Sequence, residues 1–210
     1  RSRRAMRVVL VDPSLYTPPY DGALAAALDA RGHDVTLVAR RQRATDPPLG
    51  GHVRLVPAFY RHGERLRGRA GNRRATQLVK ALEHAGGLRR LAGLVAREPT
   101  DVVHWQWPSL PAIDALALGW LQVHAPQVVT VHDARVFKTK GGMQRAMSFG
   151  WGSFLRRADR VIVHVGATRD VLVSLGVRAD RVRLVPHPVF PRPAGVQPER
   201  LDDRFVHVAF

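Results

Sequence analysis

The sequence predicts an α/β protein built on a doubly wound, mostly parallel sheet with helices on both faces. Three observations predict it. Short β-branched runs recur along the chain and are near-continuously apolar, the pattern of strands covered on both sides. Helical segments separate most of these runs. The connections are short, and strand–helix alternation of that kind closes into parallel crossovers.

The elements follow in order. Val8–Val11 reads as the first strand. Asp21 is suited to cap a helix that runs to Leu28 and stops at Gly32. Strands follow at Val35–Val38 and Val53–Val56. Arg74–Ala85 and Leu88–Arg97 are amphipathic and read as two helices divided by Gly86-Gly87. After a strand at Val102–Trp105, Ser109 with Pro111 just inside opens a helix to about His124. Val128–Val131 and Val161–Val165 are strands on either side of a helix at Gly142–Arg157. A helix at Thr168–Leu175, ending at Gly176, and a strand at Val182–Val185 complete the set.

The 210 residues suit one domain, or one domain and the beginning of another, and 45% hydrophobic residues is too many for a disordered chain. The absence of cysteine excludes disulfides, thiolate metal sites and a cysteine nucleophile. Only three of the 33 basic residues are lysine (Lys80, Lys138, Lys140), a skew that fits GC-rich codon usage. The net charge of +16 still attracts anions. The longest apolar stretch, Pro111 to Val131, is interrupted by Asp114, Gln122 and His124 and falls short of a membrane span. The apolar run at Val8–Val11 meets Asp12 and is too short for a signal peptide. A cytoplasmic protein is expected.

Residues 1–5 read as an extension ahead of Met6, the natural start, and 6–185 as the domain proper. Residues 186–203 form a stiff connector, five of the 15 prolines falling between Pro186 and Pro198. Residues 204–210 (RFVHVAF) read as another buried strand. A strand with no following helix cannot cover both faces, so the chain is expected to continue into a second domain.

Ligands of parallel α/β sheets bind where strand carboxyl ends meet loops and helix N-termini. The polar residues there are Asp12 to Gly22 after the first strand, His104 to Pro108 around the fourth, and Thr130, His132 and Asp133 around the fifth. No GxGxxG follows the first strand, and no GxxxxGK[ST] or GxSxG occurs, which argues against a dinucleotide fold, a P-loop and a hydrolase elbow. No Asp-x-Asp pair occurs, and no two histidines stand at i, i+4, so no metal site is expected. Acid/base or electrostatic work by His132 and its neighbours remains.

The segments Met6–Arg40 (MRVVLVDPSLYTPPYDGALAAALDARGHDVTLVAR), Asp101–Pro108 (DVVHWQWP), Val128–Asp133 (VVTVHD), Ala158–Val177 and Asp180–Phe190 (DRVRLVPHPVF) carry a resemblance. Their order and spacing resemble the N-terminal half of GT-B-fold retaining glycosyltransferases of the family 4 type. The resemblance implies a Rossmann-like domain that receives the acceptor, facing a second domain that grips a nucleotide-sugar. It implies that His132 sits near the transferred sugar as the catalytic residue. Tyr16, Tyr20, Asp21, Gly22, His104, Gln106 and Asp133 are the implied substrate neighbours, with Arg135, Lys138 and Lys140 facing an anionic acceptor or the donor diphosphate. Family members commonly carry a Gly-Gly pair in the first loop, where this chain has Pro18-Pro19-Tyr20-Asp21-Gly22, and Gln106 stands where a second histidine is found. No cofactor and no metal are expected, the nucleotide-sugar being a co-substrate. The family's two glutamates seven residues apart belong to the donor half; Glu64, Glu83, Glu98 and Glu199 do not have that spacing, so this portion alone is expected to be inactive.

Plainer readings stand beside these. His164, inside an apolar run, reads as structural, and His187, between two prolines, as shaping the hinge. Trp105 and Trp107 fall on one face of a strand and read as core filling. Arg61, Arg65, Arg67, Arg69, Arg73 and Arg74 lie within fourteen residues. They form either a solvated loop or a patch for an anionic membrane surface or polyprenyl-phosphate acceptor, placing the protein at the inner membrane face. Nucleic acid is disfavoured, since no aromatics interleave the basic run. Two other classes remain open: a GT-B-like sugar-nucleotide epimerase, and a stand-alone domain that binds a polyanion. Nothing in the sequence sets the oligomeric state.

Overall fold

A computed structural model describes residues 4–62, 73–133 and 142–187, of which 73–78 and 142–149 are described as backbone only. Arg65, Arg67, Arg69, Arg135, Lys138, Lys140, the connector from 188 onward and the strand expected at 204–210 lie outside the described residues.

Seven strands form one sheet: β1 (Arg7–Asp12), β2 (Asp34–Ala39), β3 (Arg54–Pro57), β4 (Val102–Trp105), β5 (Gln127–Val131), β6 (Arg160–Val163) and β7 (Val182–Leu184). Their order is β3-β2-β1-β4-β5-β6-β7, and every neighbouring pair is parallel. The helices are α1 (Pro18–Asp29), α2 (Arg73–Arg97), α3 (Pro111–Leu121), α4 (Gly142–Arg157) and α5 (Gly166–Ser174). This is the doubly wound, Rossmann-like architecture that the alternation predicts. Among the described residues no helix is long and apolar enough to cross a membrane.

Side chains alternate across the sheet with the period of two that strands impose. Val9 and Val11 of β1 enter the core shared with Leu91 of α2, Leu118 of α3 and Phe154 of α4. Val8 and Leu10 enter the opposite core, with Leu15, Val35, Leu37 and Ala25 of α1. Trp105 lies wholly in the first core, edge-on to Phe154 at 5.4 Å, and its indole N–H donates to Gln127 Oε1 at 2.9 Å.

Helix α3 has its N-cap at Leu110 rather than Ser109 and ends at Leu121. Three other elements differ more widely from expectation. Helix α1 begins at Pro18, with prolines in its first turn, where a fixed φ is already helical and the missing N–H is not needed. Asp21 therefore lies inside the first turn, fully buried, and caps nothing. The two helices expected around Gly86-Gly87 are one helix, α2. Gly87 packs on Phe59, and a Cβ there would fall 2.1 Å from Phe59 Cδ1, so the Phe59 ring takes the space that a side chain would fill. Strand β6 ends at Val163, which leaves His164 beyond it at the sheet's carboxyl edge.

Candidate functional site

The strand order reverses between β1 and β4, and the loops after these strands diverge from that point, the usual place for a ligand crevice. The loop after β1 is organised from within. The buried Asp12 carboxylate accepts from the backbone N–H groups of Ser14 (3.2 Å), Tyr16 (2.5 Å) and Thr17 (3.4 Å). Three N–H groups of the kind that cradle phosphates are thereby occupied by the chain's own carboxylate. Leu15 holds a left-handed φ of 47° in this loop. Strain of that sort persists only when neighbours enforce it. Here the buried Arg40 guanidinium donates to the Ser14 carbonyl at 2.8 Å and to both oxygens of Asp46 at 2.7 and 3.0 Å.

Asp21 faces Asp12. Burial, then the Asp12 charge and a hydrogen bond to it, push the Asp21 carboxyl up to about 9. No N–H or other donor among the described residues reaches either Asp21 oxygen, so the acid is held as a proton donor to Asp12. Gly22 is buried beside Leu49, with room for a Cβ at 3.6 Å, so no close approach demands glycine there.

The edge itself is aromatic. Trp107 leaves β4 and donates its indole N–H to Thr17 Oγ1 at 3.0 Å, tying it to the start of α1. Its ring stacks on His132, with centroids 5.0 Å apart and planes 12° apart, and packs at 4.9 Å on Tyr16, which is exposed. Trp107 thus lies in the aromatic cluster at the edge; the core-filling expectation holds for Trp105 alone, because the strand ends at Trp105. Tyr20 meets His132 edge-on at 4.6 Å. Gln106 is buried; its Oε1 accepts from His132 Nε2 at 3.4 Å, while its Nε2 has no hydrogen-bond partner among the described residues. Burial, followed by the nearby His164, His187 and His104, lowers His132 to about 4, so its imidazole is neutral at physiological pH. His104 sits within β4 and bonds Thr130 Oγ1 at 2.8 Å; burial lowers it to about 4 as well. Asp133 is exposed at the start of the following loop.

Two residues read as structural or hinge-forming, His164 and His187, lie beside this cluster. His164 lies 5.2 Å from His132 and 4.9 Å from His187, measured between ring centroids, and Tyr20 touches all three. Asp114, His84 and Tyr60, none of them expected, form a second polar chain. His84 Nε2 donates to Asp114 Oδ1 at 2.6 Å and Tyr60 Oη donates to His84 Nδ1 at 2.9 Å. Burial pushes the Tyr60 phenol up to about 12 against hydrogen bonds from Ser109 and Ser14, whose hydroxyls lie 3.0 Å apart at the carboxyl edge. Of the basic patch, Arg61 is exposed and donates to the Pro57 carbonyl at 3.1 Å, while Arg73 and Arg74 open α2. A cleft of about 530 Å³ among Gln122, His124, Pro126 and Asp159 lies at the opposite, amino end of β5 and β6 and shares none of these residues.

A family model described as a glycosyl transferase 4-like domain matches residues 19–188. No curated protein matches the sequence significantly. Among solved structures, the lipopolysaccharide outer core galactosyltransferase WaaB aligns with a TM-score of 0.58 at 10% identity, over 94% of this chain and 50% of that one. HepE from Anabaena, in complex with UDP-glucose, aligns at 0.53 and 14% identity, over 86% and 43%. A UDP-GlcNAc 2-epimerase from Methanocaldococcus jannaschii aligns at 0.51 and 11% identity, over 87% and 45%. The chain spans half or less of each, and at such identities the likeness is one of fold.

Proposed function

The chain belongs to the glycosyl transferase 4-like family, and from that premise we propose that it is the acceptor-side half of a retaining glycosyltransferase. A nucleotide-sugar held by a second domain gives its sugar to an acceptor hydroxyl lying over Tyr16–Gly22, Trp107 and His132. The observation that carries this reading is the clamp on His132, stacked on Trp107 and met edge-on by Tyr20 at the strand-order reversal. A neutral, immobilised imidazole presents a fixed N–H and a fixed lone pair, which suits it to orient a hydroxyl or the sugar. Orientation of this kind supplies a large part of a transfer barrier's reduction. The idle Gln106 Nε2 beside it offers a further donor.

Because Asp12 occupies the loop's N–H groups, the first loop meets substrate through the Tyr16 and Tyr20 side chains. The leaving diphosphate falls to Arg135, Lys138, Lys140 and the second domain, with no metal required for transfer. The likeness to HepE bound to UDP-glucose supports a nucleotide-sugar donor.

The test uses the full-length protein with a panel of nucleotide-sugars and hydroxyl acceptors, the product anomer being read by NMR. Transfer with retention supports the reading. Transfer with inversion overturns the retaining assignment. Epimerisation of a UDP-sugar without acceptor would favour the second reading, which the epimerase neighbour motivates.

The arginines between Arg61 and Arg74 supply a cationic contact to an anionic membrane surface or a polyprenyl-phosphate acceptor at the cytoplasmic membrane face. Arg65→Ala with Arg69→Ala weakens binding to anionic vesicles in that case; equal binding to neutral and anionic vesicles contradicts it.

A further inference from the structure

Three adjacent strands each deliver a histidine to the same edge. Val131 of β5 pairs with Val163 of β6, and Val163 with Leu184 of β7. His132 and His164 are the first residues beyond their strands, and His187 follows β7 closely. One ring nitrogen from each lies within 4.8 Å of the other two.

Two of the rings are also set in a ligating form. His164 Nδ1 donates to the Val185 carbonyl at 2.8 Å, which leaves the lone pair on Nε2; that atom is buried and has no hydrogen-bond partner among the described residues. His132 Nε2–H donates to Gln106 Oε1 at 3.4 Å, which leaves the lone pair on Nδ1. An imidazole whose second nitrogen is fixed by a carbonyl acceptor is the usual support of a metal-binding histidine.

We propose that His132, His164 and His187 form a site for one imidazole-preferring divalent ion of the zinc class. Three nitrogen ligands with an open fourth position suit zinc and its neighbours, whereas magnesium and calcium take oxygen ligands. Nitrogens about 2.1 Å from a tetrahedral ion stand roughly 3.4 Å apart, so small side-chain rotations close the site. Tyr20, in contact with all three rings, covers one side. An ion held there occupies the imidazole that the transfer reading assigns to the sugar, so metal and sugar exclude one another. The site itself stands without that reading, because binding is measured with no donor present.

The test is zinc and cobalt titration of the chelator-stripped protein, with bound metal counted by mass spectrometry and cobalt followed by its visible absorption. One zinc per chain is expected, with an intense tetrahedral cobalt spectrum and no uptake of magnesium. His164→Ala and His187→Ala each weaken zinc at least tenfold and abolish the cobalt bands. His52→Ala, at a side chain 98% exposed and away from the cluster, changes neither. Circular dichroism checks each variant, and His187, which is exposed, keeps the test open if His164→Ala unfolds. Absence of zinc binding, or binding that survives in the folded His187→Ala variant at full strength, overturns the proposal.

Discussion

The Asp21 carboxyl in the first turn of α1 faces the Asp12 carboxylate at the end of β1, and with neither side chain reaching solvent, burial and the Asp12 charge keep Asp21 protonated. Asp12 in turn gathers the N–H groups of Ser14, Tyr16 and Thr17, so one shared proton supports the loop on which Tyr16 and Tyr20 stand.

That proton makes stability depend on pH in a defined direction. The folded state keeps Asp21 protonated up to about 9, while the unfolded chain releases the proton near 3.8. Between those values the native state binds the extra proton, so this contribution is complete below the lower value and is lost as pH rises through the higher. One proton corresponds to at most about 1.4 kcal/mol per pH unit. Asp21→Asn keeps a donor to Asp12 without the titration. Urea unfolding at pH 5 and pH 8 should show wild type losing stability relative to Asp21→Asn as pH rises.

Two consecutive glycines in α2 should behave oppositely. A Cβ on Gly87 would collide with the buried Phe59 ring, whereas one on Gly86 meets nothing nearer than Arg90 Nη1 at 3.8 Å. Gly87→Ala should destabilise by about 1–3 kcal/mol through overpacking. Gly86→Ala should be neutral or stabilise by up to about 1 kcal/mol, the helix-propensity gain. Denaturant midpoints of the two variants decide the matter.

His84 and Asp114 are both fully buried, and Asp114 also accepts from the Leu110 N–H at 2.9 Å at the start of α3. His84→Ala leaves that carboxylate without its main partner and should cost about 3–5 kcal/mol. Tyr60→Phe removes only the outer hydrogen bond and should cost about 1 kcal/mol. Equal losses in chemical denaturation would mean that the chain is not ordered as described.

The sequence carried the strands well, because short, near-continuous runs of Val and Leu suit strands covered on both faces. The helix boundaries were harder. Gly86-Gly87 reads as a break because each glycine costs about 1 kcal/mol in a helix, and nothing local reveals that Phe59, from a distant loop, needs the space. The first loop reads from Asp21 as a cap because a short acidic side chain favours that position. The two prolines ahead of it start the helix earlier and turn Asp21 inward.

The candidate site was legible where chemistry follows directly on a strand, as at His132 and Gln106. His164 was not, because the apolar run from Val161 to Val165 hides where the strand stops. A metal search by spacing along one helix cannot find His132, His164 and His187, since only the adjacency of β5, β6 and β7 joins them. The chain Asp114–His84–Tyr60 spans three elements and leaves no local pattern.

The most direct test of the proposed transferase reading is sugar transfer by the full-length protein carrying His132→Ala, assayed with chelator present so that no metal contributes. A folded variant should lose at least tenfold in turnover, about 1.4 kcal/mol of barrier, with its thermal unfolding little changed. Undiminished turnover in a folded His132→Ala enzyme would contradict the role given to this residue and, with it, the site at the β1–β4 reversal.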